Sequence, residues 1–320
     1  MFINHKQYAI YHLGISGGKD STAVLLWLIY ESGWDLGRVK ITFSDTGNED
    51  PLTYAFIKML SEQIHQIEVI KPELGFYELA QKKGRFPSLK VRFCTQMLKL
   101  HPARDHIRQL MIQHEHVLLL NGVRRDEGHA NNNRGEVPEF GWDDSFACNI
   151  YRPVLHWSIE DVWAMHKKHL ELDAVLSIVD ADLNLADAHK DQIIRTMKQH
   201  GIPRNPLYDM GAVRVGCYPC IFSRKKEIRA MAKYRPERID FIEEQENLVH
   251  PERASFFFRN TVPERHRSKP IITNEGEELY ICTIRDVVRW SKTAYGGKQY
   301  EFDLDLDTPA TACDITGMCE

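Results

Sequence analysis

The chain has 320 residues, 43% of them hydrophobic and 27% charged, with a net charge of −4 at pH 7. That composition suits a globular protein with one large core or two modest ones, and the mild acidity excludes a bulk electrostatic pull toward nucleic acid. The longest apolar run, Ala23 to Tyr30, falls well short of the ~18 residues a membrane span needs, and seven cysteines without a secretory leader pattern point to a cytoplasmic chain with no disulfide framework.

Short apolar runs alternate with helical patterns through the first half. Strands are predicted at Ala9 to Ile15, Val39 to Phe43, Gln66 to Ile70 and Val117 to Asn121. Helices are predicted between them at Ser21 to Glu31, Pro51 to Ile64 and His101 to His114, where apolar residues recur every three or four positions. Strand-helix-strand alternation of this kind builds an α/β domain with an open, mostly parallel sheet and helices on both faces. A fifth strand, Asn149 to Val154, leads into Trp157–Trp163, where Ser158 is placed to cap a helix and Asp161 lies in its first turn. Leu172 to His200 has a helical pattern. After Gly201 the chain turns rich in Pro, Gly, Arg and aromatic residues, so residues 1–200 are expected to form the α/β domain and 201–320 a smaller cysteine-containing region.

Between the first strand and the first helix stands Ser16-Gly17-Gly18-Lys19-Asp20-Ser21. Two glycines allow backbone angles that let amide groups converge on an anion, and the helix behind them adds the positive end of its dipole. Lys19 supplies a cation, Ser16 and Ser21 supply hydroxyls, and Asp20 can hold Mg²⁺ or brace the loop. Asp45, Thr46, Gly47 and Glu49 follow the second strand, where open α/β sheets bind ligands. They can serve ribose hydroxyls or Mg²⁺, or form an ordinary turn. Arg124 and Arg125 follow the Val117 strand at the same edge, where a guanidinium can grip a phosphate.

Cys217 and Cys220 have Cys-x2-Cys spacing, suited to metal, with Cys313, Cys319 and Cys94 as sources of further ligands for Zn²⁺ or an iron-sulfur cluster. A redox role for the tail cysteines is the alternative. Cys148 and Cys282 suit buried positions, Trp157 and Trp163 suit core anchors, and Arg92, Lys99, His166 and His169 suit the surface.

The loop resembles that of the pyrophosphatase-loop adenine nucleotide alpha-hydrolases, and the chain is similar, over about residues 9–230, to their phosphoadenylyl-sulfate (PAPS) reductase family. Besides the loop, the segments carrying the resemblance are Ser44–Glu49, Arg92–Thr95 with Lys99 and Pro102, Gly122–Glu127, Tyr151–Pro153 with Trp157, and Asn205–Asp209 running into Gly216–Cys220. The resemblance implies an adenine nucleotide held by residues 16–21, with Gly122 and Arg124 beside it. It also implies cluster ligands near Cys94 and Cys217, although Phe93 replaces the first cysteine of the adjacent pair that iron-sulfur reductases carry.

Because the loop is intact, the leading expectation is an enzyme that cleaves ATP between its α and β phosphates, with Lys19, Asp20, Arg124 and Mg²⁺ at the reaction centre. An adenylated acceptor would then receive sulfur, which calls for a sulfur-donor protein and for a nucleic acid or a metabolite as acceptor. Reduction of PAPS or its unphosphorylated relative to sulfite, with Cys319 as nucleophile, is the second reading. A non-catalytic subunit that binds nucleotide or nucleic acid through Arg253–Lys269 and Phe256–Phe258 is the third.

Overall fold

β1 (Ile10–Ile15) is buried at every position but Gly14, the signature of a central strand covered on both faces. It is followed by α1 (Lys19–Tyr30), β2 (Val39–Ser44), α2 (Pro51–Gln63), β3 (Ile67–Ile70) and α3 (Phe76–Lys83). Then α4 (Phe93–Thr95) passes through a π-helical turn, Gln96–Leu100, into α5 (His101–Gln113), and β4 (Val117–Leu120), β5 (Phe140–Asp143) and β6 (Cys148–Tyr151) complete the main sheet. α6 (Ile159–His169), α7 (Leu172–Asp180), α8 (Asp187–His200), α9 (Lys225–Tyr234), α10 (Pro236–Val249), the hairpin β7 (Lys269–Ile272) and β8 (Glu278–Ile281), and α11 (Ile284–Ser291) follow. The computed structural model describes residues 3–88, 90–125, 137–257, 262–272 and 276–293.

The six-stranded sheet has the order β3-β2-β1-β4-β6-β5, parallel throughout except for β5, which runs antiparallel to β6 at the edge. Two faces follow from the strand period of two. Tyr11, Leu13, Ile15, Leu118 and Leu120 join the large core, which extends from Tyr8 to Val287. Ile10, Val117, Leu119 and Ile150 pack on the other face beneath Ile107 and Leu110 of α5. The strand order reverses at β1 and β4, and the carboxyl ends of those two strands form the crevice in which such sheets hold ligands.

Local chemistry accounts for most boundaries. Asp50 caps α2, its side chain accepting the Leu52 amide, with Pro51 at the first helical position. Ser158 and Asp161 form a reciprocal capping box at the start of α6. The helical pattern expected over Leu172 to His200 is split in two, because Asp182 turns the chain by accepting the Asn184 amide at 2.9 Å. Among the described residues no helix is long and apolar enough to cross a membrane.

Candidate nucleotide site

The glycine-rich loop occupies the crevice between β1 and β4. Gly17 has φ +72°, a left-handed angle that favours glycine, and a side chain there would come within 3.3 Å of Thr53 Cγ2. Gly18 caps α1 with extended backbone. Its amide donates to Ser16 Oγ at 3.4 Å, and the Lys19 amide donates to the Tyr208 hydroxyl at 2.9 Å. Ser21 Oγ donates to the Gly18 carbonyl at 3.2 Å, closing the turn on itself.

Lys19, Asp20 and Arg124 meet at one point. Asp20 Oδ2 lies 3.0 Å from Lys19 Nζ, and Asp20 Oδ1 accepts from Arg124 Nε at 2.5 Å. Arg124 is buried and also reaches the Trp157 carbonyl at 3.4 Å, tying the loop after β4 to the start of α6. Asp20 thus braces two cations beside the loop. Gly122 lets the chain after β4 pass close against the first turn of α1: a Cβ there would sit 2.9 Å from the Ser21 amide nitrogen and 3.0 Å from the Asp20 carbonyl carbon. Asp126 and Glu127 lie outside the described residues, and Arg125 is exposed.

The acidic segment after β2 is knitted into itself. Glu49, buried, accepts from the Thr46 hydroxyl at 2.7 Å, the Thr46 amide at 3.1 Å and the Asn48 amide at 3.2 Å. Tyr54 shares its one hydroxyl proton between Asp45 at 2.6 Å and Glu49 at 3.1 Å. Burial works against ionisation of Asp45, but the bonds from Tyr54, the Gly47 amide and Lys71 prevail and hold its carboxyl below the usual range. Gly47, at φ +72°, makes the turn. The arrangement uses the Glu49 oxygens internally and leaves Asp45 nearer the rim.

An isolated antiparallel bridge pairs Glu49 with Cys217, and the Tyr218 amide donates to the Asn48 carbonyl at 2.6 Å. These contacts bring the cysteine segment to the acidic loop from 168 residues away. Cys217 Sγ lies 3.6 Å from Thr46 Oγ1. A cavity of about 140 Å³ beside it is lined by Lys99, Arg214, Gly216, Cys217, Cys220 and Glu227. Lys99, expected at the surface, is instead half-buried against this pocket, and Cys217 with Glu49 raises its pKa despite burial. Burial pushes the Cys217 and Cys94 thiols up, with Lys99 opposing the shift at Cys217. Metal ligation needs thiolates. Among the described residues no three His, Cys, Asp or Glu side chains are placed to hold one ion, so Cys94, Cys217 and Cys220 form no such group here. Cys313 and Cys319 lie outside the described residues.

Several expectations change. His166 is fully enclosed rather than facing solvent, its Nε2 2.9 Å from the Lys19 carbonyl and its Nδ1 3.0 Å from the Pro203 carbonyl. Burial lowers its pKa against those carbonyls. Asn205 and Tyr208, noted in the sequence only within a segment that carries the resemblance, are loop neighbours in the structure. Their signal was local: an Asn-Pro-Leu-Tyr turn in which Asn205 accepts the Leu207 amide at 3.1 Å. Cys148 and Cys282 are buried, as is Trp163, while Trp157 is partly buried against the core. Phe256 and Phe257 lie in the core and Phe258 and Arg259 fall outside the described residues, which removes two of the aromatic faces the nucleic-acid reading needs.

The phosphoadenosine phosphosulfate reductase domain family matches residues 11–173. An uncharacterised 37.8 kDa protein of Escherichia phage 186 is 30% identical, over 96% of this chain and 96% of its own length. Adenosine 5'-phosphosulfate reductase 1 of Bacillus subtilis is 26% identical, over 62% of this chain and 67% of its own. Among solved structures, the PAPS reductase of Candida auris covers 68% of this chain and 85% of that one at 16% identity and a TM-score of 0.44. The chain belongs to the phosphoadenosine phosphosulfate reductase family.

Proposed function

We propose that this chain binds ATP at residues 16–21, cleaves it between the α and β phosphates and adenylates an acceptor in sulfur transfer. The observation that carries the reading is the complete loop with its two cations, Lys19 and Arg124, joined on Asp20 at the strand-order reversal. Loop amides and the α1 dipole favour a phosphoryl group at that point. Leaving-group charge grows on pyrophosphate as the α–β bond breaks, and a preorganised ammonium beside it lowers the barrier without reorganising solvent. Lys19 has that role in this scheme, Arg124 and Asp20 hold it in place, and Mg²⁺ arrives with the nucleotide. The cysteine pocket next to the loop is where a sulfur carrier would approach.

A second reading, reduction of a sulfonucleotide to sulfite, is favoured by the B. subtilis relative's name and by the thiols beside the loop. Incubating the full chain separately with MgATP, PAPS and adenosine 5'-phosphosulfate decides between them. Pyrophosphate and AMP from ATP alone, lost by at least about a hundredfold in Lys19→Ala, support the first. Sulfite from a sulfonucleotide, abolished in Cys319→Ser, supports the second and removes the first.

A further inference from the structure

The segment from Pro203 to Cys217 lies across the phosphate loop. Tyr208 Oη accepts the Lys19 amide at 2.9 Å, and the His166 ring lies between the Lys19 and Pro203 carbonyls, 2.9 Å from one and 3.0 Å from the other. A side chain built on Gly17 would stand 3.4 Å from Asn205 Nδ2, and one on Gly18 would stand 3.5 Å from the Val215 carbonyl and 3.6 Å from Tyr208 Oη. The same segment ends on Cys217, which pairs with Glu49 and lines the thiol pocket. Loop, crossing segment and thiols are therefore one connected unit.

The Lys19 amide is the first N–H of α1. Such a donor has no partner inside its helix and is one of the groups with which a helix start grips an anion. Here a phenol oxygen 189 residues away takes it. A phenol is a neutral acceptor, whereas a phosphoryl oxygen is ionised and forms a hydrogen bond roughly twice as strong. The exchange of one for the other is therefore downhill at the amide. Tyr208 itself is held from behind, edge-on to Trp163 at 5.6 Å, and Arg204, paired with Asp209, lies near its ring, so a shift of Tyr208 carries its neighbours along.

We propose that Tyr208 is a placeholder: a phosphoryl oxygen displaces its hydroxyl from the Lys19 amide, and the displacement loosens residues 205–217 and so reports loop occupancy to Cys217 and Cys220. The proposal rests on the nucleotide reading above and adds a coupling between the nucleotide and the thiols. It makes Tyr208 a competitor of the ligand, so its loss has the opposite sign from the loss of an ordinary support.

Two measurements test it on the full chain. Titration calorimetry with inorganic pyrophosphate and with MgATP should give binding about three- to tenfold tighter in Tyr208→Phe than in the unaltered protein, the size of one modest hydrogen bond. In the unaltered protein, hydrogen exchange followed by mass spectrometry should show faster exchange across 205–217 when pyrophosphate is bound, a readout that does not depend on the variant folding. Equal or weaker binding in Tyr208→Phe overturns the proposal. Unchanged or slower exchange across 205–217 in the ligand-bound protein overturns it as well. If neither ligand binds either protein, the nucleotide reading itself falls and the placeholder with it, whereas binding without these effects removes the placeholder alone.

Discussion

In the proposed scheme Arg124 serves the site through its neighbours. Its guanidinium is buried, with Nε bonded to Asp20 and Nη1 to the Trp157 carbonyl, so the role assigned to it there is the brace it gives to Asp20 and Lys19. Truncating Arg124 takes one of two cations from Asp20, which keeps Lys19 at 3.0 Å, so the cost is expected to fall below the about 3–5 kcal/mol of breaking an isolated buried pair. Arg124→Met is therefore expected to lower the urea midpoint clearly, and Arg124→Met combined with Asp20→Asn to recover part of the loss. Recovery of stability without recovery of nucleotide affinity, measured by equilibrium dialysis, would separate the fold's need for this pair from the site's. An Arg124 that contacts phosphate without supporting the loop would lower affinity while leaving the midpoint in place. At this scale the sequence disclosed Lys19, Asp20 and Arg124, because a glycine-flanked lysine and a strand-end arginine carry their chemistry in the local pattern. It read His166 and Lys99 as surface side chains, and it noted Lys99 and Tyr208 only within segments that carry the family resemblance. The crossing of distant segments is what encloses them.

At the scale of elements, a buried carboxyl joins the C-terminal helices. Glu246 of α10 accepts the Phe256 amide through Oε1 at 2.8 Å and the Ile284 amide, at the start of α11, through Oε2 at 3.1 Å. Burial raises its pKa from 4.5 to about 7, although both amides pull it down. Below pH 4.5 the group is protonated in the folded and unfolded chain alike, and its contribution to stability is fully present. Between 4.5 and about 7 the unfolded chain releases the proton while the folded chain keeps it, so stability falls as pH rises through that window. The loss is on the order of 3 kcal/mol. Urea titrations from pH 4.5 to 7.5 should show this decline, and Glu246→Gln should flatten it; an unaltered slope in that variant would assign the pH dependence to other groups. These late helices were the least legible part of the fold. α9 and α10 lie in a stretch dense in Arg and Glu, where apolar positions such as Ile228, Met231, Ile239 and Ile242 are thinly spaced, and the Pro236 that opens α10 looks like a break. α3 has only eight residues, and its best signals are the glycines around it, Gly75 before it and Gly84, left-handed at φ +62°, after it. β5 carries a glycine and no alternation, as an edge strand can. By contrast β1, β2, β4 and the first two helices were plain, because buried parallel strands and amphipathic helices leave opposite periods in the sequence.

The molecule as a whole is tied together around Arg235, at the junction of α9 and α10. It donates to both oxygens of Asp50, at 3.0 and 3.1 Å, and to both oxygens of Asp182, at 3.3 and 2.5 Å, and all three residues are buried. Asp50 is also the cap of α2, and Asp182 makes the turn between α7 and α8, so one guanidinium joins three regions widely separated in the chain. The four bonds hold Arg235 strongly protonated against its burial. Two carboxylates and one guanidinium leave a net negative charge in the interior, and removing the cation would leave two like charges close together. Arg235→Met is expected to cost about 3–5 kcal/mol or more, whereas the triple replacement Arg235→Met, Asp50→Asn, Asp182→Asn should recover much of that. Because Asp50 stands next to Glu49, whose backbone pairs with Cys217, the single replacement should also disturb the acidic loop. Chemical denaturation followed in parallel by far-ultraviolet circular dichroism and tryptophan fluorescence reads the effect. One shared transition, moved to lower urea by Arg235→Met and largely restored in the triple variant, is the expected result, since the larger of the two apolar clusters extends from Tyr8 to Val287. Two separated transitions in the Arg235→Met protein, with the first half unmoved, would mean that the triad stabilises only the C-terminal helices and does not tie them to the sheet.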